Sequence, residues 1–196
     1  GRSRGGVPGG GVITATAAQD LSRFDLDLRG FDVSSLRVDG RPAVFARDGQ
    51  ELQITPARPL RKRSGFTVSL SYAGVPEVVT DPDGSIEGWV PTVDGAFVVG
   101  EPQGSPSWFP ANDNPRDKAT YDVTITVPQG LTAMSNGVLA ASWSRGGRTT
   151  WAWRESSPVA TYLATATLGR FQLTRPRVAG AEELRAMRRI HCRSMR

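Results

Sequence analysis

From residue 12 to residue 173 apolar and polar positions alternate with a period of two, interrupted every few residues by Gly, Asp or Pro. That is the pattern of half-buried antiparallel strands separated by tight turns. Strands are predicted at 12–18 and 24–28, the second with Phe24, Leu26 and Leu28 on one face and Asp25 and Asp27 on the other. Short strands follow at 35–38, 43–46 and 51–54. Asp39-Gly40 and Asp48-Gly49 join them, since glycine accepts positive φ without steric cost. Alternation returns at 65–72, where Phe66, Val68, Leu70 and Tyr72 share a face, and at 95–100. It is plainest at 119–127, with Tyr121, Val123, Ile125 and Val127 set against Asp122, Thr124 and Thr126. Strands at 132–136, 149–155 and 161–168 complete the set. Short strands at this spacing predict an all-β domain, an antiparallel β-sandwich or an open saddle-like sheet.

Helical spacing occurs once, at 181–190, where Leu184, Met187 and Ile190 recur every third residue. The stretch is short, basic and preceded by Gly180, so an isolated helix there is marginal in water and is expected to be frayed or disordered. The predicted organisation is a disordered Gly/Arg-rich lead over 1–10, one β domain over 11–175 and a basic tail over 176–196.

A chain of 196 residues can bury about 70% of its unfolded surface, enough for one large domain. Its net charge of +5 raises nucleic acid as a partner class. The cations, however, are not spread evenly: Arg58, Arg61, Lys62 and Arg63 lie in one Pro-containing connection, and Arg185, Arg188, Arg189, Arg193 and Arg196 in the tail. Without the tail the charge is close to neutral, and no aromatic-basic strand pattern interleaves with these residues, so no nucleic-acid partner is expected. The single cysteine, Cys192, excludes an internal disulfide and leaves the compartment, cytoplasmic or secreted, open. Residues 1–11 lack the apolar core of a signal peptide, although the chain does not begin with Met and a signal upstream stays open. No run of about 18 apolar residues predicts a membrane span.

Candidate chemistry concentrates in residues 101–137, EPQGSPSWFPANDNPRDKATYDVTITVPQGLTAMSNG. Glu101-Pro102, Phe109-Pro110, Asp113, Pro115 and Lys118-Ala119-Thr120-Tyr121 stand at the spacing found in the zinc aminopeptidases of the aminopeptidase N family. That family reads Q-x-E-P, then F-P-C-F-D-E-P-x-x-K-A-T-F, then an alternating strand ending L-S-N, and this segment resembles it without a gap. The departures are Val99 for the Gln, Ala111 and Asn112 for the Cys and Phe, and Asn114 for the Glu. The resemblance covers roughly residues 11–173. It implies an all-β N-terminal domain that closes over the active site of a separate, following domain, the one that holds the zinc. It also implies that Glu101 binds the α-ammonium of a peptide substrate. A carboxylate suits that task, because an ammonium donates three hydrogen bonds and a charged acceptor makes them about twice as strong. Pro102 is expected to bias Glu101 toward an extended backbone.

The implied function is therefore the N-terminal substrate-anchoring domain of a metallo-aminopeptidase (a gluzincin) that removes N-terminal residues from peptides. Its partners would be a peptide N-terminus and a catalytic domain missing from this chain. The family's domain opens with a further Y-x-L-x-L strand before the one predicted here at 12–18. The residues after Arg175 look unrelated to the family's continuation. A truncated or interrupted gene product with an exposed sheet edge is expected, with a mobile tail open to trypsin.

A catalytic zinc needs three protein ligands, of which a helical H-E-x-x-H supplies two together with the general base. The chain has one histidine, His191, beside Cys192, with no H-E-x-x-H and no G-x-M-E-N loop of the resembling enzymes. No catalytic residue and no metal ligand is therefore expected on this chain, zinc being a property of the complete family enzyme, and the chain alone is expected to be inactive. Asp113 and Asp117 suit turn and cap duties, and neither they nor Asp122 has a catalytic role in the family. Asp81-Pro82-Asp83-Gly84-Ser85 lacks the further ligands of a calcium loop and predicts a type I turn. Gly9-Gly10-Gly11 and Gly146-Gly147 lack the strand-to-helix context of phosphate loops. Trp151 and Trp153 lie two apart on one strand face and Trp143 on the preceding stretch. They are expected in a sandwich core, or else as a platform for sugar rings. The second option defines an alternative function, a stand-alone β-sandwich binding module for carbohydrate or protein.

Overall fold

The computed structural model describes residues 6–174, 177–178, 181–182 and 185–188. Its strand pairs are all antiparallel. The first sheet runs in the order Val7–Thr16, Gly65–Gly74, Phe31–Val38, Arg41–Pro42. Its inward residues Phe66, Val68, Leu70, Tyr72, Phe31, Leu36 and Val38 share one core with Leu26, Leu52 and Ile54. The latter three come from a second, three-stranded sheet of Phe24–Asp27, Glu51–Thr55 and Val44–Asp48. Leu28, Leu52 and Ile54 are completely buried, each worth about 1.5–3 kcal/mol of transfer free energy. The faces are those set by the period-two pattern, and the all-β expectation holds.

The first strand starts at Val7, inside the stretch expected to be a disordered lead. Gly9 lies opposite Tyr72, and a Cβ on Gly9 would come within 2.4 Å of the tyrosine ring. Gly9, which reads as part of a disordered lead in the sequence, is what lets this strand pass beneath the ring.

The strands between residues 78 and 169 build two further sheets. One has five strands in the order Thr132–Ser135, Ala166–Gly169, Ala96–Val99, Ile86–Pro91, Val78–Thr80. The other has Ala119–Pro128, Arg148–Val159 and Val138–Arg145. Trp153 joins them: it is buried and its indole N–H donates to the Ala133 carbonyl at 3.0 Å. The predicted strand at 161–168 is divided into a 3-10 turn, Thr161–Leu163, and the strand Ala166–Gly169.

Over the described part of 181–190 the backbone is extended instead of helical. Arg185–Arg188 pairs with Phe171–Thr174, and Ala181–Glu182 with Arg177–Val178. A short basic segment cannot recover the cost of nucleating a helix, whereas an existing strand offers it a ready ladder. His191 and Cys192 lie outside the described residues. Among the described residues no helix is long and apolar enough to cross a membrane.

Candidate functional site

The strand Ala96–Val99 is central in the five-stranded sheet, between Ala166–Gly169 and Ile86–Pro91. Where it ends the chain turns sharply through Gly100, Glu101, Pro102, Gln103 and Gly104. Gly104 N–H donates to the Gly100 carbonyl at 2.9 Å. Both ends of the turn need glycine because of close approach: a Cβ on Gly100 would lie 2.3 Å from the Tyr162 carbonyl oxygen, and one on Gly104 would lie 2.1 Å from that of Val99. Glu101 sits at the tip, exposed, and its peptide bond to Pro102 is cis. A buried 3-10 turn, Ser105–Ser107, follows, with the Ser107 hydroxyl donating to the Gly104 carbonyl at 2.6 Å.

Beneath the turn lies Glu87, only 1% exposed. Its Oε2 accepts from the Gln103 backbone N–H at 2.8 Å, and the Gln103 side-chain amide donates to Asp81 Oδ1 at 2.8 Å. Burial, reinforced by the neighbouring Asp81 carboxylate, pushes the Glu87 carboxyl above the usual carboxylate range. The Gln103 N–H and the Arg29 charge act in the opposite sense.

The segment then crosses to the first core. Arg29 N–H donates to the Pro106 carbonyl at 2.7 Å, the Tyr72 hydroxyl to the Trp108 carbonyl at 3.2 Å, and Asp27 and Ala111 exchange backbone bonds of 2.6 and 3.1 Å. Phe109 packs against Trp108 and, edge on, against Tyr121, with ring centres 4.6 and 6.0 Å apart. The Phe109-Pro110 and Tyr121 parts of the motif thus form one apolar seam. Asp113 Oδ1 accepts from the Thr161 hydroxyl at 2.5 Å, and its backbone N–H donates to Asp27 at 3.0 Å. Burial raises the Asp113 carboxyl, the Thr161 bond lowers it, and Asp27 raises it again. Asp117 accepts from the Asn112 side chain at 2.7 Å. Asp113 thus ties the loop to a residue distant in sequence, and Asp117 ties it to the Asn112 side chain, in place of the local turn and cap bonds expected of them.

The other candidates separate from this region. Asp83 accepts from the Ser85 N–H and hydroxyl, which closes a turn and holds its carboxyl below the usual range. Asp122 pairs with Arg154 at 2.7 Å on an exposed face. Trp143 lies opposite Thr150 in register, so it projects from the other side of the sheet from Trp151 and Trp153. The three tryptophans therefore do not form one platform. Among the described residues no group of three or more His, Cys, Asp or Glu side chains could hold a metal ion. Glu87 and Gln103 carried no sequence signal beyond a charged residue before Gly88 in an otherwise apolar run.

A family profile for the peptidase M1 N-terminal domain matches residues 32–163. The chain belongs to this family. As an M1 N-terminal domain it has a close structural counterpart in an M1 zinc metallopeptidase from Deinococcus radiodurans: TM-score 0.84, 29% identity, 93% of this chain and 42% of that one covered. A variant of an M1 zinc metallopeptidase from the same organism, bound to a Tyr-Ser-Ala substrate, gives the same score and identity over 93% and 43% of the two chains. Aminopeptidase B of Rattus norvegicus is 27% identical over 128 residues, which make up 64% of this chain and 19% of that protein. This M1 domain therefore spans less than half of the length of these relatives.

Proposed function

We propose that this chain is the substrate-anchoring domain of a metallo-aminopeptidase that removes N-terminal residues from peptides, and that Glu101 receives the substrate's α-ammonium. Catalytic zinc would belong to a separate domain that docks against the Glu101 side. The observation that carries this reading is the placement of Glu101: an exposed carboxylate at the tip of a turn whose two glycine ends have no room to move and whose underside is tied to Glu87. A charge held on a fixed backbone loses little freedom when it accepts an ammonium. The described residues do not fit a zinc ion, so the chemistry they support is binding and orientation. The alternative, a carbohydrate or protein module using a tryptophan face, gains no support, because Trp153 is core and Trp143 faces away from it.

In an enzyme joining this domain to a matching M1 catalytic domain, Glu101→Ala is expected to lower kcat/KM for free-amine substrates by about tenfold to somewhat over a hundredfold. That corresponds to roughly 1.5–3 kcal/mol for a lost charge-assisted hydrogen bond. Amine-blocked substrates should be little affected. An equal loss for both classes would point to folding or docking, and no loss for either would make Glu101 an ordinary loop residue.

A further inference from the structure

Glu87 is the only carboxylic acid buried to this degree among the described residues. A buried carboxylate is costly unless it is bonded, and a leucine in its place would carry no such cost. Its polar bonds go to the Glu101 turn. Oε2 takes the Gln103 backbone N–H, and Asp81, beside it, takes the Gln103 side chain. The packing leaves nothing between turn and carboxyl: a Cβ on Gly104 would lie 3.2 Å from Glu87 Cβ and 2.6 Å from the Gly88 nitrogen. Glu87 Oε1 is also buried, with no donor directed at it. An ionised group leaves that oxygen bare. A protonated one turns it into a donor, with the Asp81 carboxylate as the neighbouring acceptor.

We propose that Glu87 is the positioning residue for Glu101: carrying a proton, it bridges Asp81 and the Gln103 backbone and holds the 100–104 turn in the conformation that presents Glu101 to solvent. The proposal rests on the reading of Glu101 as the ammonium anchor for its purpose, but not for its geometry. The charged groups that bear on Glu87 are Asp81, which favours the proton, and Arg29, which opposes it; burial also favours the proton and is the largest influence. Because the folded value is raised, the hold on the turn is complete below the ordinary glutamate range and fades as pH rises through the folded value.

The test uses the 196-residue chain, uniformly 15N-labelled, and reads the protection of the Gln103 amide against hydrogen exchange from below the ordinary glutamate range upward, between about pH 4 and pH 9. Glu87→Gln keeps an acceptor for the Gln103 N–H and presents a permanent N–H to Asp81, so it should retain protection across the range. The unsubstituted chain should lose protection as pH rises. Glu87→Ala should lose about tenfold or more at every pH, while the amides of Leu52 and Ile54 stay protected. Unchanged Gln103 protection in Glu87→Ala, or identical pH profiles for the unsubstituted chain and Glu87→Gln, would overturn the proposal. Should Glu87→Ala not fold, the comparison with Glu87→Gln decides alone. A firm turn combined with no free-amine effect of Glu101→Ala refutes the anchoring reading only, and a loose turn combined with that effect refutes only the role of Glu87.

Discussion

Tyr72 shows how one side chain ties the motif segment to the first core. Its ring covers Gly9 and packs edge on against Phe31 at 5.1 Å, and its hydroxyl donates to the Trp108 carbonyl. Burial pushes its pKa up to about 12. The neutral phenol is thus favoured in the folded state. Its contribution to stability is complete below the ordinary tyrosine value of about 10 and is lost as pH rises through about 12. Ultraviolet titration of the chain should show a tyrosine step near 12 that disappears in Tyr72→Phe, accompanied by loss of the fold as the step is crossed. A phenolate signal from Tyr72 near pH 10 in the folded chain would contradict the burial argument.

At the level of the element, the 100–104 turn depends on backbone approach more than on side-chain contacts. A Cβ on Gly104 would lie 2.1 Å from the Val99 carbonyl oxygen and 2.6 Å from the Gly88 nitrogen, both backbone atoms of the five-stranded sheet. Gly104→Ala therefore has no flexible neighbour to displace and should cost about 1–3 kcal/mol, as overpacking does, read as a lower urea midpoint. In the joined enzyme it should also reduce turnover of free-amine substrates, because Glu101 shares the turn. Gly40→Ala makes a useful control: unlike Gly104, whose φ is −77°, Gly40 has a φ of +72°, nothing lies within 4 Å of an added Cβ, and Glu101 is remote in sequence. It should destabilise without changing free-amine selectivity.

Over the whole molecule, the segment between Gly100 and Tyr121 fastens the first core to the later sheets through Arg29, Asp27, Tyr72 and Thr161. The M1 motif is in this sense a clasp with the Glu101 carboxylate at its exposed end. One histidine and no H-E-x-x-H do not supply the ligands and base of a zinc hydrolase site of that kind. The chain by itself is expected neither to bind zinc stoichiometrically in equilibrium dialysis nor to hydrolyse aminoacyl chromogenic substrates. Tight one-to-one zinc, or turnover that a chelator abolishes, would refute this.

Period-two alternation determined the all-β class and the inward faces of strands such as Gly65–Gly74 and Glu51–Thr55, and the Asp-Gly pairs determined the turns at Gly40 and Gly49, since all of these follow from local backbone geometry. The spacing of Glu101, Phe109-Pro110 and Lys118 to Tyr121 pointed to the family for the same reason: it lies within one continuous segment. Tertiary structure decided what depends on residues distant in sequence. Gly9 reads as disorder until Tyr72, 63 positions later by residue number, is laid over it. Trp143 joins Trp151 and Trp153 in the sequence, and only strand register puts it on the opposite face. Arg185–Arg188 has helical spacing, yet it pairs with Phe171–Thr174 because that strand is there to receive it. Glu87 stands in an unremarkable strand, and it became part of the candidate site only because the fold lays the Gln103 amide across its carboxyl.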